Sequence, residues 1–228
     1  MPITRRPRRT IRRRRPLRKR PIRRTRKMGL RRPVRSSIPE HQYCKLIYYT
    51  GQIGATTTTT PAQVTYYIND IFDLKNDSSY KQPRFFDQMA SLYQKYRVNA
   101  VKYEFDFAPL SGSSYVACGF FPASYGGTGP DRKAFEEDPR WRLSLSSTNR
   151  GPIKIKGYKS IAAIEDVPTR VVRDDDSYNA KVIEAPFTKP EFRIAFQALD
   201  ETQSYGHWLN GRLTFYTTFY QLKQPAIS

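Results

Sequence analysis

Val101-Lys102-Tyr103-Glu104-Phe105-Asp106-Phe107 alternates apolar and charged side chains without a break. Successive residues of a strand point to opposite faces, so this stretch makes one apolar and one charged face. Phe192-Arg193-Ile194-Ala195-Phe196-Gln197-Ala198 has the same period, apolar at the even positions. Ile153-Lys154-Ile155 and Leu143-Ser144-Leu145 are shorter instances. Val64, Tyr66 and Ile68 repeat it, as do Val116, Cys118 and Phe120, and then Leu213, Phe215 and Phe219. With the run from His41 to Thr50, eight strands are expected: 41–50, 64–71, 97–107, 114–121, 142–148, 152–161, 191–199 and 209–221.

The connections are long and rich in turn formers. Gly54 to Pro61 contains five consecutive threonines, Ser124 to Pro130 is dominated by glycine, and Ala162 to Pro190 holds Asp174-Asp175-Asp176. Long crossings suit Greek-key topology better than a meander of tight hairpins. The predicted fold is all-β: an eight-stranded antiparallel jelly-roll sandwich with one short helix in a loop. That helix is expected to open after Pro83 and run over 84–96, with Phe85, Met89, Leu92 and Tyr96 on one face. A second, shorter helix is expected over 131–138, stopped by Pro139.

Ahead of these strands the composition changes completely. Residues 1–35 hold sixteen arginines and two lysines, with no acid and no aromatic. The whole chain carries +20 and this segment +18, so the remaining residues carry only +2. Such a segment cannot bury enough apolar surface to offset its ordering entropy, and its charges repel, so a disordered arm is expected. Pro2, Pro7, Pro16, Pro21 and Pro33 block continuous helix and keep it extended. The boundary falls at Ser36-Ser37-Ile38-Pro39, giving an arm over 1–38 and a shell of strands over 39–228.

The arm's partner is expected to be a polyanion, because arginine contacts phosphate bidentately and binding releases counterions. The candidate nucleic-acid contacts are Arg5, Arg6, Arg8, Arg9, Arg12, Arg13, Arg14, Arg15, Arg18, Lys19, Arg20, Arg23, Arg24, Arg26, Lys27, Arg31, Arg32 and Arg35. Arg12 to Arg15 with Arg18, Lys19 and Arg20 also form a candidate nuclear-import signal. A flexible arm presents no rigid element to a groove, so sequence-independent phosphate binding is expected.

Catalytic and metal motifs are sparse. His41 and Cys44 have a ligand-like spacing but no second pair, and on a strand they would face opposite sides. Gly126-Gly127-Thr128-Gly129 has no following Gly-Lys-Ser/Thr and reads as a turn. Asp174-Asp175-Asp176 and Glu136-Glu137-Asp138 read as solvated acidic loops. Cys44 and Cys118 are too few for a disulfide scaffold and read as reduced core thiols. No enzyme activity, metal or cofactor is expected. The longest uncharged stretch, Phe107 to Pro130 apart from its ends, is broken by proline and glycine, so membrane insertion is not expected. The basic segment lacks a following apolar region, which argues against a secretory signal.

Beyond composition, two stretches carry a resemblance to a family. Phe86-Asp-Gln-Met-Ala-Ser-Leu-Tyr-Gln-Lys-Tyr-Arg-Val98 is a helix feeding a long strand, and Leu213-Thr-Phe-Tyr-Thr-Thr-Phe-Tyr220 is a closing strand. With the arginine arm before them, they resemble the capsid proteins of small circular single-stranded DNA viruses, the circovirus and cyclovirus group. The resemblance spans essentially the whole chain. It implies a viral jelly roll that assembles with itself into a sixty-subunit, T=1 icosahedral shell and packages a circular single-stranded DNA genome. It also implies a virion protein that enters the host nucleus through host nuclear import receptors, and a shell that meets a host cell-surface attachment factor. Sixty arms would neutralise on the order of a thousand phosphates at one charge each. Two other readings compete: a ribosomal or chromatin-type nucleic-acid-binding protein, and an enzyme with a basic targeting arm.

Overall fold

The computed structural model describes residues 38–57, 61–75, 82–126, 136–200 and 205–223. Alternation builds the longest strands. In β3 (Tyr93–Pro109), Tyr103, Phe105 and Phe107 are buried while Lys102, Glu104 and Asp106 keep contact with water. β9 (Tyr205–Leu222) pairs along it antiparallel, setting Phe215 against Val101 and Leu213 against Tyr103 on the apolar side. β1 (His41–Thr57) flanks β9, and β6 (Ile153–Ser160) flanks β3. The first sheet therefore runs β1-β9-β3-β6, with the short β7 (Asn179–Lys181) pairing beside β6 on β3.

The second sheet is made of β2 (Ala62–Tyr67), β4 (Ser113–Phe121), β5 (Trp141–Ser147) and β8 (Glu191–Ala198), in the order β2-β8-β4-β5. Every pairing in both sheets is antiparallel. Successive strands switch sheets except at β4–β5 and β6–β7, and the first and last strands of the sandwich are neighbours. That is the strand order of a jelly roll, two Greek keys wrapped on each other.

The core between the sheets is stacked in aromatic groups. At one end Phe86, Tyr93 and Tyr96 meet Phe219, with ring centroids 5.5–6.4 Å apart. In the middle Phe192 of β8 lies 4.9 Å from Tyr103, 5.7 Å from Phe105 and 4.7 Å from Phe120. At the far end His207 stacks between Phe107, at 5.7 Å, and Phe196, at 5.5 Å. Such pairs add about 0.5–1.5 kcal/mol each beyond the area they bury.

All eight expected strands are present, and several boundaries move for identifiable reasons. The helix α1 occupies Phe86–Leu92, not 84–96, because Tyr93 onward is drawn into the ladder with β9 and buries its rings there. Phe85 ends the preceding turn in the left-handed region (φ 69°), which delays helix entry. β1 continues through the expected loop to Thr57 because β9 is long enough to pair with it. The second strand stops at Tyr67, since Ile68, Ile71 and Leu74 fold under the sandwich as a buried turn segment. There Asn69 donates to the carbonyls of Tyr178 and Thr188.

The expected loop 162–190 contains α2 (Ile161–Ile164), α3 (Thr169–Asp174), a 3-10 turn at Asp176–Tyr178 and β7. These elements are short and capped locally: Ser160 accepts from the Ala163 N–H at 3.2 Å. The helix expected over 131–138 lies mostly outside the described residues.

Two rings of β3 depend on glycine. Phe105 faces Gly211 and Tyr103 faces Gly157, and a Cβ on either glycine would overlap the opposing ring. Phe105 is buried, so its ring has no free space to swing into. Gly211→Ala should destabilise the fold by about 1–3 kcal/mol, the usual cost of overpacking. A lower denaturant midpoint with an unchanged m-value would register it. Gly126→Ala, where a Cβ meets nothing within 4 Å, should leave the midpoint in place.

Candidate nucleic-acid and assembly surfaces

The eighteen candidate contacts from Arg5 to Arg35, the import signal among them, lie outside the described residues. The structure does place the point where the chain joins the strands. Tyr93, at the start of β3, donates from its hydroxyl to the Pro39 carbonyl at 2.8 Å. The chain then enters β1, an edge strand of the first sheet.

The outer face of that sheet is strongly cationic. There its four long strands carry Lys45 on β1, Arg212 on β9, Lys95, Arg97 and Lys102 on β3, and Lys154 and Lys156 on β6, with Glu104 and Asp106 as their acids; beside them Lys181 of β7 stands opposite Lys95 in the ladder, and Asp176 approaches Lys95 to 4.0 Å. On this face of those four strands seven cations against two acids leave +5, more than the +2 carried by all residues after 35. Glu104 sits between Lys102, at 2.8 Å, and Arg212. Hydrogen bonds from Lys102 and then Arg212 hold its carboxyl down at about 2. Asp106 lies 3.5 Å from Lys154.

Tyrosines interleave with these charges. Tyr43 and Tyr216 face each other with centroids 6.4 Å apart, and Tyr158 meets Tyr216 edge-on at 5.5 Å. Ala100, opposite Tyr216 on the intervening strand, carries only a methyl group there. Lys45 lies 5.5 Å from the Tyr216 ring centre. Partial burial, then the neighbouring Tyr158 and Tyr216, raise the Tyr43 hydroxyl above its ordinary pKa. Near the other end of the face a hollow of about 240 Å³ opens between Tyr49, Lys154 and Arg212.

The outer face of the second sheet has the opposite character. Its charged side chains among the described residues are Glu191 and Arg193, which pair with each other at 2.5 Å. Arg193 is buried beneath Phe121 and Tyr125, and Arg140 packs over the same two rings at 5.0 and 4.4 Å. Beside this cluster Tyr115, Leu143, Leu145 and Leu199, with Glu136, line a largely apolar hollow of about 170 Å³, with Leu145 58% exposed. Elsewhere Phe187 is 92% and Ile183 68% exposed on one loop.

The expected acidic loop is tied up locally. Asp174 lies 3.4 Å from Arg170 and 2.9 Å from Arg173; Asp175 accepts from the Ser177 N–H at 2.8 Å, capping the 3-10 turn. Asp138 makes a forked pair with Arg140. Among the described residues no group of three or more His, Cys, Asp or Glu could hold a metal ion. His41 stacks on Tyr220 at 6.2 Å while Cys44 packs against the core, so the two do not share a face. Both cysteines are free. Cys118 borders a cleft of about 580 Å³ between the β5 and β6 edges, rimmed by Arg140, Arg142 and Lys159. Burial pushes its thiol up to about 12, leaving it protonated and a poor nucleophile at neutral pH. No described helix is long and apolar enough to cross a membrane.

Sequence reading marked the arm but missed both sheet faces, although the alternating lysines at 102, 154 and 156 were visible in it. What it lacked was the strand order that gathers them.

The strand order defines the class: a jelly-roll β-sandwich. The chain is similar to solved structures of Cucumber Leaf Spot Virus (9% identity, TM-score 0.45, covering 83% of this chain and 53% of that one) and Desmodium yellow mottle tymovirus (12%, 0.41, 86% and 96%). It is also similar to the decameric BFDV capsid protein (11% identity, TM-score 0.41, 79% and 99%). No family model and no curated protein matches the chain.

Glu104 provides a pH test of the charged face. Its carboxyl is depressed, so its contribution is full above its ordinary value of 4.5 and lost as pH falls toward about 2. Glu104→Gln should flatten the fall of melting temperature across that window and leave it unaltered in slope near neutrality.

Proposed function

We propose that this chain is a viral capsid protein. Residues 39–228 assemble with further copies into a small icosahedral shell, sixty subunits by the resemblance noted above, and the arm over 1–38 packages circular single-stranded DNA. The observation that carries this is the segregation of charge: +18 of the chain's +20 lies in residues 1–35, ahead of a jelly roll. A cellular nucleic-acid binder usually spreads its cations over the folded part. Here the folded part is nearly neutral overall and keeps large apolar side chains, Phe187 and Leu145 among them, open to solvent. Those side chains suit contact with another copy, and the role is structural rather than catalytic.

The arm's arginines would condense the genome through phosphate contacts. The cluster from Arg12 to Arg20 would also be read by nuclear import receptors, placing assembly in the host nucleus. The outside of the shell would meet the host attachment factor.

Electron microscopy of the purified chain with single-stranded DNA should show uniform closed particles, and a chain beginning at Ser36 should package much less of the nucleic acid. Dispersed monomers in every salt and pH condition would contradict the capsid reading. Single Arg→Ala changes in the arm should be mild and nearly interchangeable, because eighteen cations share one flexible task.

Phe187→Ser should leave the unfolding free energy within about 0.5 kcal/mol of the parent's, as for most surface changes, while reducing particle yield. Sedimentation of variant and parent at equal concentration separates the two effects.

A further inference from the structure

We propose that the outer face of the β1-β9-β3-β6 sheet is a second nucleic-acid site: a platform on which bases of a single strand stack against Tyr43, Tyr158 and Tyr216 while Lys45, Lys156 and Arg212 hold its phosphates. This rests on the reading of the chain as a nucleic-acid-packaging protein and adds a site that the arm does not supply.

Three observations converge on it. Tyr43 is 54% and Tyr158 58% exposed, yet both hydroxyphenyl rings approach Tyr216 from opposite sides, forming an aromatic row across the sheet. Tyrosines scattered singly on a surface need no explanation; here Tyr216 joins two others, stacked beside Tyr43 at 6.4 Å and edge-on to Tyr158 at 5.5 Å. Outward rings on a four-stranded sheet are a recurring way to stack unpaired bases, and stacking tolerates any base because every base has a π-face.

The charge around the row completes the fit. On its four long strands the face holds +5 within a body of +2, so the remainder of that body carries −3. Lys45 lies beside the Tyr216 ring and Lys156 is exposed one step along β6 from Tyr158's side of the ladder, facing Glu104. A base stacked on the row would leave its phosphates within the reach of these flexible cations.

Charge narrows the occupant: a face with more cations than acids draws a polyanion. A duplex keeps its bases stacked inside and offers the rings nothing, so the chemistry selects a single strand.

The test uses the full chain and a fluorescent thymidine oligonucleotide, with the matching duplex as comparison. Salt suppresses phosphate contacts of arm and face alike, whereas stacking persists. At high salt the parent should still hold the single strand and release the duplex. The combined change Tyr43→Ala with Tyr158→Ala should weaken single-strand binding by about tenfold or more, while Tyr43→Phe with Tyr158→Phe should bind like the parent. Ultraviolet crosslinking should place thymine adducts on peptides containing Tyr43, Tyr158 or Tyr216.

Equal affinity of the alanine variant and the parent at every salt concentration would overturn the proposal. So would adducts confined to residues 1–37, or displacement of the oligonucleotide by polyglutamate as readily as by unlabelled single strand. Closed particles that package DNA in the alanine variant with undiminished affinity would remove the platform and leave the capsid reading intact. Adducts on the tyrosines in a chain that forms no particles would do the reverse.

Discussion

The pairing of β3 with β9 is the constraint on which the other elements depend. Both strands run nearly the length of the molecule, and each alternates side chains that must be dry with side chains that must be wet. A slip of one residue would turn Phe105, Phe107, Phe215 and Phe219 to solvent and drive Glu104 and Lys102 into the core. Shape reinforces the pattern. Phe105 lies over Gly211 and Tyr103 over Gly157, so the ladder accepts its two neighbours in one register, with a glycine beneath each ring. Once these strands are set, the aromatic groups that join the two sheets have fixed places to meet, Phe192 reaching Tyr103 and Phe105 from the opposite sheet.

The same alternation divides the surface. One sheet turns lysine, arginine and tyrosine outward; the other turns leucine, tyrosine and a self-contained Glu191–Arg193 pair. A nearly neutral domain is thereby polarised, with its excess positive charge on one sheet and apolar area on the other. Electrostatic attraction acts over distance and depends on salt, whereas apolar contact acts at close range.

Much of this was legible in the sequence where a single rule governed the residues. Alternation located all eight long strands because burial on one face leaves a period of two. The basic segment over 1–35 is a matter of composition and lies outside the described residues. Legibility failed where two demands met on one segment: Tyr93 to Tyr96 fits a helical face, but its rings are worth more in the ladder with β9 than in another turn of helix. It failed again in 162–190, where α2, α3 and β7 are too short to show any period and depend on caps such as Ser160 and Asp175. The basic tyrosine face was hidden for a different reason. Its residues come from four strands distant in sequence, and composition cannot place Tyr43 beside Tyr216 or bring Tyr158 across β3 to meet it.

The strand order also sets the timing of folding. β1 has a single partner in its sheet, and that partner is β9: His41 pairs with Tyr220 and Tyr48 with Leu213. Pairing across so much intervening chain pays its loop-closure entropy late, which places folds of this kind among the slow ones. During synthesis the first strand must wait, unpaired, until nearly the whole chain has left the ribosome.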